Sequence, residues 1–138
     1  MCDYSPQASR DNTAPVVCRL FDRDGDLDVL VSTNHGPAVL LRNDRGNRNH
    51  WLNVRLAGTK ANHDGIGAVV RVGKQWNMMR SGSSYCSASD LAVTFGLGKA
   101  ATANVEVEWP SGTRQQFANV AADQFLTIDE ARGILPKK

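Results

Sequence analysis

The sequence predicts an all-β fold on three observations. Short apolar runs with a two-residue period recur along its 138 residues. Turn-forming residues separate those runs at close spacing, and no segment sustains the 3.6-residue apolar period of a helix. Many short strands of this kind need a sandwich or barrel to bury their faces and protect their edges. The length suits one core, or one domain with a short appended segment.

Residues 1–13 are polar and aperiodic and read as a loose leader. From Ala14 the chain turns apolar: Val16, Val17, Leu20 and Phe21 enter the acidic stretch Asp22-Arg23-Asp24-Gly25-Asp26-Leu27-Asp28, and Val29 to Thr33 leaves it. Asn34-His35-Gly36-Pro37 makes a turn, Ala38 to Arg42 a further short strand, and polar Asn43 to Asn49 a boundary. In Trp51 to Leu56, Leu52, Val54 and Leu56 fall on one face, Asn53 and Arg55 on the other. Ile66 to Val72 is apolar enough for burial on both faces. Gly73-Lys74 then suits a type II′ hairpin into Gln75–Arg80, because the first turn position there needs positive φ. Leu91 to Phe95 ends at Gly96-Leu97-Gly98, and Val105, Val107 and Trp109 alternate with Glu106 and Glu108 up to Pro110-Ser111-Gly112. Thr113 to Phe117 and Gln124 to Ile128 supply the last strands, with at most one helical turn across Ala118 to Asp123.

Sixteen basic and 14 acidic residues leave a net charge of +2, with the basic residues scattered. Such a chain offers no stripe for a nucleic-acid backbone or a membrane surface. No apolar run is long enough for membrane insertion as a helix. The start lacks the basic-then-apolar order of a secretory signal, so either the protein stays inside the cell or this is the tail of a longer exported chain. Cys2, Cys18 and Cys86 are odd in number, with no CxxC pair for zinc. Cys18 and Cys86 read as small buried hydrophobes, with a Cys2–Cys18 or Cys18–Cys86 bridge as the alternative.

The acidic stretch carries the functional signal. On a plain strand, Asp22, Asp24, Asp26 and Asp28 would project from one face and repel. A loop curled around a hard divalent cation uses the same side chains well, and Gly25 stands where such a loop turns sharply. With Gly25 set as the glycine of an EF-hand loop, Asp22 and Asp24 take the third and fifth positions and Asp28 the ninth. Leu20 and Val31, however, occupy the first and twelfth, and the flanks are strands. The site is therefore a strand–loop–strand relative rather than an EF-hand. A solvated acidic turn is the plain alternative.

The stretch Phe21 to Val29 resembles the calcium loop of FG-GAP/VCBS repeats, the blades of integrin-like β-propellers. Six further motifs stand in the order seen in the ASPIC/UnbV domain: Arg42-Asn43-Asp44, Gly46 to Leu52, Asp64 to Ala68, Arg80 to Tyr85, Phe95 to Gly98 and Trp109 to Gly112. That domain closes cartilage-acidic-protein-like chains, after an FG-GAP propeller. The resemblance runs from about Ala14 to Glu130. It implies a β-sandwich over 49–130, preceded over 14–48 by a strand–loop–strand remnant of a propeller blade, with 131–138 as a tail. It also implies an extracellular or cell-surface, non-catalytic adhesion module with protein, matrix or glycan partners. The calcium ligands it implies are Asp22, Asp24, Asp26 through its backbone carbonyl, and Asp28. Leu20 departs from the acid usual at its position, and a single repeat leaves strands without neighbouring blades. Those edges either fold onto the sandwich or pair in a homodimer.

Other constellations are weaker. Ser81, Ser83 and Ser84 with His35, His50 or His63 could be drawn as a triad, but none of the serines lies on a G-x-S-x-G elbow. The histidines lack zinc-ligand spacing, and Gly65-Ile66-Gly67 lacks the helix of a phosphate loop. Exposed indoles would favour a carbohydrate-binding module. Trp109 shares the face of Val105 and Val107 and belongs in the core, whereas Trp76, in the hairpin, stands the best chance of exposure.

Overall fold

The computed structural model describes residues 16–19, 21–22, 24–32, 36–44, 48–82 and 90–136. These form eleven strands: β1 (Val16–Arg19), β2 (Asp28–Val31), β3 (Val39–Leu41), β4 (His50–Ala57), β5 (Val69–Val72), β6 (Gln75–Met78), β7 (Val93–Gly98), β8 (Thr102–Glu108), β9 (Arg114–Ala121), β10 (Gln124–Asp129) and β11 (Gly133–Ile134). They assemble into a three-stranded sheet in the order β1-β2-β3 and two four-stranded sheets in the orders β11-β10-β4-β7 and β6-β5-β8-β9. The two four-stranded sheets resemble a small sandwich, so the all-β class predicted from alternation holds.

The core lies between these two sheets. Leu52, Val54 and Leu56 from β4 meet Val93 and Phe95 from β7 and Leu126 and Ile128 from β10; Val70 and Val72 from β5 and Val105 and Val107 from β8 close it from the other side. The two-residue period of each strand sets this, because it aims alternate side chains inward. Burial of so many branched side chains, each worth about 1.5–3 kcal/mol, is the main source of stability. Among the described residues all pairings are antiparallel except β10 with β4, which run parallel from Gln124↔Leu52 to Asp129↔Ala57. Gln75 also ties edge strand β6 to the facing sheet, its Nε2 donating to the Gly96 carbonyl at 2.7 Å.

Several expectations need correction. Ile66 and Gly67 lie in a turn rather than a strand, and Arg71 is exposed, so β5 is buried on one face only. Across Ala118 to Asp123, where at most one helical turn was expected, there is none: β9 continues to Ala121 through a bulge, where Asn119 adopts φ 54° and its N–H donates to Asn104 Oδ1. Within the stretch 131–138 read as a tail, Gly133–Ile134 form β11 against β10. Cys18, expected inside, is an exposed free thiol; Cys2 and Cys86 lie outside the described residues. The hairpin prediction is met: Gly73 has φ 59°, and Lys74 is absent from the positive-φ residues, as type II′ requires.

Candidate functional site

The acidic loop joins β1 to β2 and is organised by its own carboxylates. Asp22 Oδ1 accepts the Asp24 N–H at 3.3 Å, and Asp24 Oδ1 accepts the Asp26 N–H at 2.9 Å, two successive turns of the kind short acidic side chains promote. Asp28 is 1% exposed. Its Oδ2 accepts the Phe21 N–H and its Oδ1 the Asn43 N–H, both at 2.9 Å, which fastens the loop mouth and the chain after β3 to the start of β2. Asp26 is also buried, while Asp22 faces solvent beside Arg42, whose Nε lies 4.0 Å from it and closer still to Asp44. Partial burial, followed by the neighbouring Asp24 and Asp28 charges, raises the Asp22 carboxyl above its ordinary value, against the lowering effect of the Asp24 N–H.

The four sequence-predicted ligands thus share one bend. Among the described residues, no three acidic, histidine or cysteine side chains converge as a finished metal site; Leu20 and Arg23 lie outside those residues. The donor chemistry suits a hard cation, since each Asp28 oxygen bound to an N–H keeps a further lone pair. What sequence reasoning missed is that Asp28 also does structural duty as a backbone acceptor.

The loop is docked on the sandwich. Gly25 adopts φ 102°, and a Cβ there would fall 2.1 Å from Trp51 Nε1 and 2.5 Å from its Cδ1. Trp51 stands on the outer face of β4, opposite Gly96 of β7, and packs edge-on against Phe125 of β10 with ring centroids 5.0 Å apart. Beside it a cleft of about 480 Å³ opens between Asp24, Arg48, Asn49, His50, Trp51 and Asp123. Asp123, at φ 56° in the turn between β9 and β10, exchanges backbone contacts with Trp51. Its N–H donates to the Trp51 carbonyl at 2.7 Å, and its Oδ1 accepts the Trp51 N–H at 3.2 Å. Its Oδ2 lies 2.6 Å from His50 Nδ1, a contact that, with the Trp51 N–H, lowers the Asp123 carboxyl below its usual range despite some burial. Asp123 is the side-chain partner of the His50 ring. Ser81 is exposed, and Ser83, Ser84 and His35 lie outside the described residues.

At the opposite end, Glu130 joins three loops. Its Oε2 accepts the N–H groups of Thr59, Lys60 and Ala61 at 2.9, 2.7 and 2.8 Å, and its Oε1 accepts the Ser111 hydroxyl. Burial alone would raise its carboxyl, but these hydrogen bonds outweigh burial and bring it down to about 2. Trp109 is buried as expected, with Nε1 donating to Gln115 Oε1 at 2.9 Å, and Gln115 Nε2 donates in turn to the carbonyls of Asp129 and Glu130. The Pro110-Ser111-Gly112 signal located this turn; nothing local marked Glu130 as its clasp. Trp76 is 66% exposed.

A small two-sheet sandwich with an acidic-looped sheet seated on its outer face defines an all-β module held together by backbone-capping carboxylates. The chain belongs to the ASPIC and UnbV family, whose model matches residues 58–134, more than half of the sequence. It is 32% identical over 120 residues to cartilage acidic protein 1 of Homo sapiens, covering 80% of this chain and 18% of that protein. The Mus musculus protein of that name is 31% identical over the same coverage. The Xenopus tropicalis protein is 33% identical over 102 residues, 67% of this chain and 15% of the relative. The chain therefore corresponds to less than a fifth of the length of these curated relatives. The 120-residue similarity is longer than the family-matched stretch, so it takes in residues outside 58–134.

Proposed function

We propose that the chain is a non-catalytic structural or adhesion module of an extracellular protein, in which the acidic loop takes a calcium ion. The ligands are Asp22, Asp24, the Asp26 backbone carbonyl and Asp28, the set that the resemblance to FG-GAP/VCBS loops implies. The observation that carries this reading is the seating of Gly25 against Trp51. It makes the shape of the acidic loop and the placement of β1-β2-β3 on the sandwich one mechanical problem. Without a cation, Asp22 bears the repulsion of Asp24 and Asp28; a bound ion would relieve it and stiffen the junction. The relatives' name, which speaks of cartilage and of an acidic protein, supports a matrix or protein partner for the module.

The test is thermal unfolding of chelator-stripped protein with calcium chloride added. Ligand binding to the folded state stabilises by about 2.7 kcal/mol when free ligand is a hundred times Kd. The expected result is a melting temperature that climbs with calcium and an Asp24→Ala variant that does not respond. Asp24 is the better choice than Asp28, whose removal strands the Phe21 and Asn43 N–H groups whether or not an ion binds. A melting curve unmoved by millimolar calcium refutes the proposal.

A further inference from the structure

We propose that the outer face of the β6-β5-β8-β9 sheet is a binding platform for an uncharged, linear carbohydrate chain, with Trp76 as its stacking anchor. This face is remote from the acidic loop, which sits on the outer face of the other sheet at Trp51, so the two readings stand or fall separately.

The strand register builds the platform. Trp76 pairs with Arg71, Arg71 with Glu106, and Glu106 with Gln116, so the four side chains form a row crossing all four strands on one face. Val70, Val72, Val105 and Val107 point to the core, which fixes the Arg71 row as the outward one. At about 4.8 Å between strands, the row is about 14 Å long, enough for a short run of sugar rings laid across the sheet. A second row alongside consists of Met78, Val69, Glu108 and Arg114. Glu108 takes Arg71 Nη1 on one oxygen at 3.0 Å and Arg114 Nη2 on the other at 2.9 Å, so the polar side chains are held before any ligand arrives. Both arginine contacts keep the Glu108 carboxyl below its usual range.

The chemistry of the face selects the ligand. A protein interface centres on a contiguous apolar patch surrounded by a polar rim. Here one exposed indole stands among side chains that donate or accept hydrogen bonds, and its neighbours Met78 and Val69 are half-buried. That pattern matches a sugar, whose ring carries C–H groups on a flat face and hydroxyls around its edge. One ring lies on Trp76 while hydroxyls further along meet Arg71, Glu106 and Gln116. Two arginines and two glutamates balance across the rows, so the face has no field to draw a sulfated or uronic polymer.

The experiment is affinity electrophoresis of the full chain through gels containing laminarin, xylan, galactomannan or hydroxyethylcellulose, with heparin and chondroitin sulfate gels in parallel. The expected result is retardation in at least one neutral polymer. Trp76→Ala should cut that affinity at least about tenfold, the loss that follows removal of an aromatic anchor. Trp76 is too exposed for its loss to unfold the chain, and an unchanged circular dichroism spectrum verifies this. Gln116→Ala, at the far end of the row, should weaken binding of the polymer as well. Normal migration in every neutral gel overturns the proposal. So does retardation indifferent to both substitutions, or retardation confined to heparin and chondroitin sulfate. Calcium removal should leave the retardation in place.

Discussion

Substituting Gly25 with alanine probes the joint between the acidic loop and the sandwich. At φ 102° the backbone occupies a conformation that side chains with a Cβ adopt only under strain, and the new methyl would sit 2.1 Å from Trp51 Nε1 and 2.7 Å from Cε2. The backbone part costs about 1–2 kcal/mol. The overlap with the indole forces a shift of ring or loop and costs about 1–3 kcal/mol more. Together they take roughly 2–5 kcal/mol from the seated state, a sizeable share of the 5–15 kcal/mol typical of a domain. Urea unfolding followed by tryptophan fluorescence measures the loss. Pairing Gly25→Ala with Trp51→Ala separates its parts, because removing the ring abolishes the overlap and leaves the backbone strain. The double variant should then be less destabilised than the two singles added, by about 1–3 kcal/mol. Gly96→Ala serves as the control, since a Cβ there meets nothing within 4 Å. A Gly25→Ala protein within about 0.5 kcal/mol of the parent, or strict additivity in the cycle, would refute the docking of the loop on Trp51.

Glu130 sets the acid limb of stability. Its folded value of about 2 lies below the ordinary 4.5, so its contribution is complete above pH 4.5 and drains away as the pH falls towards 2. Glu130→Gln should flatten that part of a stability–pH profile, and an unchanged profile would contradict the clasp. Trp109→Phe keeps an aromatic ring in the core but leaves Gln115 Oε1 without its donor, a loss of about 1–3 kcal/mol. Urea unfolding midpoints measure it, and Trp109→Phe/Gln115→Leu should recover part of the loss if that hydrogen bond is the cause.

Strand identity was largely legible because alternation is local. Val105, Val107 and Trp109 declared an inward face, and the structure buries all three. The parallel pairing of β10 with β4 left no local trace, since it joins residues 72 positions apart, as with Leu52 and Gln124. Glu130 was invisible for a similar reason: its partners come from residues 59–61 and Ser111, and a lone acid after a strand looks like ordinary surface. That the acidic stretch is a loop was legible, because four aspartates at alternate positions make a poor strand. Its geometry was not, since the N–H groups that occupy Asp28 belong to Phe21 and Asn43. Cys18 misled because residue type alone does not set burial.

The pairing of β4 with β10 also constrains how the chain comes into being. On a ribosome β4 emerges before both of its hydrogen-bonded neighbours, β7 following it and β10 last of the three. Until residue 129 has cleared the exit tunnel, the central strand of that sheet is an open edge lined with Leu52, Val54 and Leu56. Folding dominated by such distant pairings is slow, because chain closure must precede any gain from contact. A nascent chain with β4 and β7 outside the tunnel and β10 still within it would therefore be the species most in need of a chaperone.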